Sequence, residues 1–120
     1  LLTDFPNLRF AFFEAGASWL PWAMYSLDRV YGVEPQCARC DVKPSEQILK
    51  SCFVAAEPDE DYAVQAIAAI GSKNFIVGSD YPHPPSTFPN TAAGIIEMAG
   101  LSTEAKDDLL GGNMRRLLNL

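Results

Sequence analysis

One histidine, three cysteines and nine basic side chains against fifteen acidic ones are what these 120 residues have little of, and no apolar run approaches bilayer length. Each scarcity excludes something. A net charge of -6 argues against a nucleic-acid backbone or an anionic membrane surface as the main partner, and solubility is the simpler reading of the acidity. A membrane span needs roughly 18–20 apolar residues, and Leu1-Leu2-Thr3-Asp4 lacks the basic, apolar, small-residue order of a secretory signal. A soluble cytoplasmic protein is therefore the default expectation, with no nucleic acid and no membrane among its partners. Cys37, Cys40 and Cys52 are an odd set without the framework of a secreted domain, so they read as reduced thiols. Cys37-Ala38-Arg39-Cys40 has the spacing of half a zinc knuckle, yet only Cys52 and His83 remain to complete four ligands, and loop thiols are the base case. A redox dithiol would want a strand before it and a helix after it, whereas this pair lies between a helix and a proline-containing loop.

What is present is globular: 48% hydrophobic and 20% charged residues suit one domain with a modest core. Leu8 to Glu14, with Phe10-Ala11-Phe12-Phe13, reads as a strand buried on both faces. Ala15-Gly16-Ala17-Ser18 makes a small-residue turn, and a helix follows in which Pro21 suits the first turn and Trp22, Tyr25, Leu27 and Val30 supply apolar positions as far as Tyr31. Gly32 to Glu46 reads as a long loop. Ile48 to Glu57 carries a second strand, best placed over Ser51 to Ala56, a helix begins in Pro58-Asp59-Glu60-Asp61 and stops at Gly71, and Phe75 to Ser79 forms a third strand. Thr91 to Met98 reads as a helix, Ser102 or Thr103 as the cap of another running through Leu110 to Gly111-Gly112, and Asn113 to Leu118 as the last. Strands alternating with helices imply α/β architecture with parallel pairing. The opening Asp4-Phe5-Pro6-Asn7-Leu8 resembles a loop feeding a strand, as though the chain enters midway through a larger unit.

All three strands run into an acid: Glu14, Glu57 and Asp80. If the strands are neighbours, the three carboxylates gather on one rim, where mutual repulsion raises their pKa values unless a cation or a proton sits among them. That favours a metal or an acid/base site. The plain alternatives are that Asp80 merely caps a turn and that Glu57 merely caps the helix after Pro58. Asp80 is the stronger candidate, because Gly78 and Ser79 keep the backbone approachable and Pro82, Pro84 and Pro85 force an irregular loop where parallel folds build their sites.

Several motifs, in order along nearly the whole chain, resemble the carboxyl-terminal part of the amidohydrolase-related family that includes the aminocarboxymuconate-semialdehyde decarboxylases. They are Phe5-Pro6-Asn7-Leu8-Arg9, Glu14-Ala15-Gly16-Ala17-Ser18-Trp19-Leu20-Pro21-Trp22, Leu27-Asp28, Pro44-Ser45-Glu46, Cys52-Phe53-Val54 and Glu57-Pro58-Asp59-Glu60. Gly78-Ser79-Asp80-Tyr81-Pro82-His83-Pro84 and Gly111-Gly112-Asn113-Met114-Arg115-Arg116-Leu117 complete the set. The resemblance implies a TIM (β/α)₈ barrel of which this chain is the last three β/α units, strands six to eight, plus terminal helices. A whole barrel takes about 250 residues. The resemblance also implies a divalent metal, zinc first, in the complete protein, and hydrolysis or non-oxidative decarboxylation of a small carbonyl or carboxylate substrate.

On that resemblance Asp80 is the catalytic aspartate that contacts the metal and takes a proton from its water. Glu14 stands where the decarboxylase branch has a histidine, so it is read as an oxygen ligand, a partner to one, or a substrate contact. Trp19, Tyr81 and His83 are expected in the substrate wall. Trp22 and Tyr25 are read as the packing face of their helix, Tyr81 has packing under its loop as its alternative, and His83 is favoured as loop-fixing or substrate-facing over metal-binding. Arg115 and Arg116 suit a helix end and receive no catalytic role. The His-x-His pair after the first strand and the histidine after the fifth are not in these residues. The isolated chain is therefore expected to be inactive, and to associate with a missing amino-terminal segment or with copies of itself, since three parallel strands leave two raw edges and an uncovered inner face. A non-catalytic association module is the competing reading.

Overall fold

In the computed structural model, which describes residues 1–34, 41–84 and 86–120, the chain lays three parallel strands under a layer of helices. The strands are β1 (Phe10–Phe12), β2 (Cys52–Ala56) and β3 (Phe75–Val77), in the order β1-β2-β3. Phe10 pairs with Cys52 and Phe12 with Val54, while Val54 also pairs with Phe75 and Ala56 with Val77. The helices are α1 (Leu20–Val33), α2 (Pro44–Ser51), α3 (Ala63–Ile70), α4 (Thr91–Glu97), α5 (Thr103–Asp107) and α6 (Asn113–Leu118), with a π-helical turn over Asp108–Gly112 before the last. This is an α/β arrangement consistent with part of a barrel.

Strand β2 is buried at every residue, as an unbroken apolar run without alternation requires of a central parallel strand. Its side chains divide by pleat. Val54 and Ala56 join Leu20, Met24, Ala63, Ile67, Phe75, Ile95 and Leu109 in the larger core between sheet and helices. Phe53 and Ala55 point the other way and meet Ile76, with Met114 and Leu117 of α6 packed against them. The inner face expected to be bare is thus partly covered by the terminal helix.

Four expectations need correction. The first strand is not buried on both faces: it spans only Phe10–Phe12 at the edge of the sheet, with Phe12 and Phe13 left exposed. Residues 44–51 are not loop running into strand: Pro44 takes the first helical turn and α2 forms, so β2 begins only at Cys52. The acids at positions 59–61 do not start α3, which begins at Ala63; they occupy the preceding turn, closed by Glu60 N–H donating to Glu57 O at 3.1 Å. Trp22 and Tyr25 do not pack inward. They are 71% and 67% exposed, and Leu20 and Met24 form the buried stripe of α1. Ser102 does cap α5, its hydroxyl accepting from Ala105 N–H at 3.1 Å, and α6 keeps the expected bounds. The Cys37/Cys40 pair and Pro85 lie outside the described residues; Cys52 is buried at the start of β2, where burial pushes its thiol up.

Side-chain clamps tie these elements together. Asp28 of α1 accepts from Ser45 N–H at 2.9 Å and Ser45 Oγ at 2.6 Å, which fixes the first turn of α2. The Ser45 hydroxyl, helped by the Ser45 N–H and the charge of Lys43, holds the Asp28 carboxyl below the usual range against the opposing effect of burial. Burial alone would raise Asp108. Hydrogen bonds from Ser72 Oγ at 2.5 Å and from Lys73 Nζ, with the charges of Lys73 and Arg116, instead hold it below the ordinary value. Both groups have a folded pKa below the unfolded one, so their stabilisation is full above about pH 4 and is lost as pH falls through the lowered values. The urea midpoint should drop on acidification below about pH 4, and Asp108→Asn should flatten that drop; an unchanged slope in the variant would contradict this role.

Candidate active site at the strand exits

Parallel pairing points the carboxyl ends of all three strands the same way, so the segments after them share one rim. Phe13, Glu14, Ala55, Glu57, Gly78, Ser79, Asp80 and Tyr81 line a cleft of about 280 Å³ there. The three strand-exit acids expected to gather on one rim are brought together. Glu14 and Asp80 also share an unusual backbone: each has φ of 57°, in the left-handed region. That conformation costs a non-glycine residue roughly 1 kcal/mol, and such strain tends to persist where a side chain must be aimed.

Electrostatics agrees with the geometry. The Glu57 carboxyl is pushed above its usual range, first by lost hydration at the rim and then by the negative charges of Asp59, Glu60, Asp80 and Glu14. Glu57 is exposed as a residue, so the crowding of like charge is the informative part of that rise. The cleft lining contains no lysine or arginine.

Asp80 is held by its own loop. Its backbone oxygen accepts from His83 N–H at 2.8 Å, and its Oδ2 lies 3.0 Å from His83 Nδ1. A carboxylate oxygen accepts, so Nδ1 is the donor of this pair. The His83 side chain is 66% exposed and that of Asp80 27%. The rest of the loop is pinned by Ser86 Oγ and Thr87 N–H, which donate to Ser79 O at 2.6 and 3.1 Å. Tyr81 lines the cleft and also packs on Phe88 of its own loop, with ring centroids 4.7 Å apart.

Trp19 is placed differently. Its indole N–H donates to Gly16 O at 2.8 Å, and its ring meets the edge of Phe12 at 5.7 Å. Phe13, the next residue after Phe12, faces the cleft, so Trp19 sits with the helix layer and is not among the cleft-lining side chains. His83 reaches the site through Asp80 and not through the lining.

Sequence reasoning passed over Glu60. Its carboxylate accepts from Ala17 N–H at 2.8 and 2.9 Å, from Ser18 N–H at 2.8 Å and from Ser18 Oγ. The small residues before α1 form a concave loop of free amides, and Glu60 fills it. Gly16 has φ of 62°, and a Cβ there would lie 3.0 Å from Glu60 Oε1, so both conformation and space call for glycine. The available signal was an amide-rich small-residue turn and an acid with no helix of its own to cap.

Carboxylate oxygens of this kind are donors that divalent cations take, and crowded negative charge with no basic side chain in the lining suits one. The residues fit as part of a donor set only. Among the described residues no group of three histidine, cysteine, aspartate or glutamate side chains converges to hold an ion.

A sequence model of the amidohydrolase family matches residues 1–120, and the chain belongs to that family. It is 29% identical over 118 residues to a 2-amino-3-carboxymuconate-6-semialdehyde decarboxylase of Dictyostelium discoideum, covering 96% of this chain and 32% of that protein. Among solved structures it is similar to an amidohydrolase of Mycobacterium avium subsp. paratuberculosis, with TM-score 0.81 and 22% identity over 98% of this chain and 29% of the other. It also matches the 5-carboxyvanillate decarboxylase of Sphingomonas paucimobilis, with TM-score 0.76 and 21% identity over 99% and 36%. A third match, with TM-score 0.72 and 16% identity over 99% and 36%, is a dihydroxybenzoic acid decarboxylase from a Polaromonas species, solved with bound manganese and the inhibitor 2-nitroresorcinol. The chain spans about a third of the length of these relatives.

Proposed function

We propose that these residues are the carboxyl-terminal sector, strands six to eight, of a metal-dependent amidohydrolase-like barrel. The complete enzyme would cleave a small carbonyl or carboxylate compound, with non-oxidative decarboxylation favoured over hydrolysis. The observation that carries the reading is the placement of Glu14, Glu57 and Asp80 along one cleft at the exits of three adjacent parallel strands, with no basic side chain in its lining. The names of the relatives supply the direction of the chemistry: two are decarboxylases of carboxylated aromatics and one of an open-chain carboxylated semialdehyde.

In this reading Asp80, with Glu14 beside it, contributes oxygen donors to a divalent ion, zinc or manganese, whose remaining ligands come from an amino-terminal segment. Bound there, the ion would polarise a substrate oxygen and lower the pKa of water. Asp80 Oδ would hold or move a proton, and His83 Nδ1–H would steady that carboxylate at 3.0 Å. Tyr81 would present its hydroxyl and ring to the substrate from the cleft wall. The outer edges of β1 and β3 are unpaired within the three-stranded sheet, as a barrel completed by further strands would use them. Turnover and metal content of the complete protein, wild type against Asp80→Asn, test the proposal.

A further inference from the structure

We propose that Glu60 is a positioning residue: by filling the amide hole at Ala17 and Ser18 it locks the β1-exit loop, and Glu14 with it, against the β2-exit loop that carries Glu57. This deepens the metal-site reading and rests on it. Glu14 leaves β1 in a left-handed conformation, and two residues later Gly16 does so again, so the segment has no regular hydrogen-bonding pattern of its own. Its amide at Ala17, a fully buried residue, and its amide at Ser18 both take the Glu60 carboxylate as acceptor. The Glu60 carboxylate accepts both of them and the Ser18 hydroxyl, a short bridge across more than forty residues of sequence. Charge-assisted bonds to several donors at once are the strong kind.

The two ends of the bridge determine what it does. On one side the loop is also held by Trp19 Nε1–H donating to Gly16 O and by the start of α1. On the other, Glu60 sits in the turn that Glu57 begins, through Glu60 N–H to Glu57 O. Two of the three rim carboxylates are thereby set at a fixed separation by a fourth that itself turns away to the amides. A side chain acting only as a helix cap for α3 would point at α3, and this one points at α1.

The test uses the complete protein in three forms: wild type, Glu60→Gln, and Ser18→Ala, which removes one donor and leaves the carboxylate in place. Hydrogen exchange of the loop 15–18 is measured together with Mn²⁺ affinity. In Glu60→Gln, loop exchange should quicken at least about tenfold, exchange in α3 should hold, and Mn²⁺ should bind about tenfold more weakly, as for other residues that orient a ligand at one remove. Ser18→Ala should move both readouts in the same direction by less. Unchanged loop exchange would overturn the lock. Faster exchange with unchanged Mn²⁺ affinity would show a purely structural clamp and overturn the positioning role. A wild-type protein that binds no Mn²⁺ would overturn the metal-site reading and the positioning role with it, while the exchange result would still report on the lock itself.

Discussion

Asp80→Asn in the complete protein should lower kcat by about 10²–10⁴-fold with little change in KM. Asparagine keeps the size of the side chain and an oxygen that can face His83 Nδ1, but it carries no charge for a cation and takes no proton. The substitution also separates catalysis from folding. Position 80 has φ of 57°, a conformation asparagine tolerates well, and the residue lies in a loop held independently by Ser86 and Thr87. The unfolding midpoint should therefore hold while turnover collapses and the bound metal is reduced. Wild-type turnover in the variant would remove Asp80 from the chemistry.

The opposite end of the sheet should give the largest stability loss. Asn113→Ala is expected to destabilise by about 3 kcal/mol in chemical denaturation, because it strips hydrogen bonds from two carbonyls at a buried site. Asn113 is fully buried, and its amide donates to Ser72 O at 2.7 Å and to Phe75 O at 2.5 Å, bridging the turn before β3 to its first residue. Its own oxygen accepts from Arg116 Nη2 at 2.5 Å, and Arg116 in turn reaches Lys73 O. Asn74 plays the matching part for β2, donating to Leu49 O and Cys52 O at 2.8 and 2.7 Å. Arg9 ties the lead-in to β1 to the chain end through Leu117 O and Asn119 Oδ1. These contacts lie at the amino ends of the strands, away from the cleft, so the Asn113 variant should lose stability in proportion to its broken bonds and keep kcat at temperatures where it is folded. A loss under about 1 kcal/mol would mean that water replaces the amide at little cost.

How far the sequence disclosed all this follows from the range of the forces involved. β2 and β3 were legible because Cys52-Phe53-Val54 and Phe75-Ile76-Val77 are continuous apolar runs, and a buried parallel strand needs no other signal. α6 was legible from the Gly111-Gly112 pair before it. α2 was hidden: Pro44 looked like loop, and Ile48 beside the strong β2 run was drawn into the strand, although proline also fits a first helical turn. In α1, periodicity shows which residues share a stripe but not which stripe faces in. Leu20 with Met24 and Trp22 with Tyr25 are both apolar, and only packing against the sheet selects the former.

The candidate site divides in the same way. The placement of Glu14, Glu57 and Asp80 on one rim follows from strand order, which alternation of strands and helices implies, so it could be read without coordinates. The Glu60 bridge to Ala17 and Ser18, and the Asp28 clamp on Ser45, join residues tens of positions apart through loop conformation, and no local pattern encodes them. Trp19 was drawn toward the pocket by its place after a strand exit, but its ring found Phe12 on the helix side.

The central claim is that the Asp80 carboxylate faces a divalent ion on the barrel rim. Crystals of the complete protein grown with Mn²⁺ and measured at the manganese absorption edge test it most directly. The predicted result is an anomalous peak within about 2.2 Å of an Asp80 carboxylate oxygen, the separation expected for a divalent transition metal on oxygen. A peak bound elsewhere, with Asp80 turned to solvent, would contradict the account.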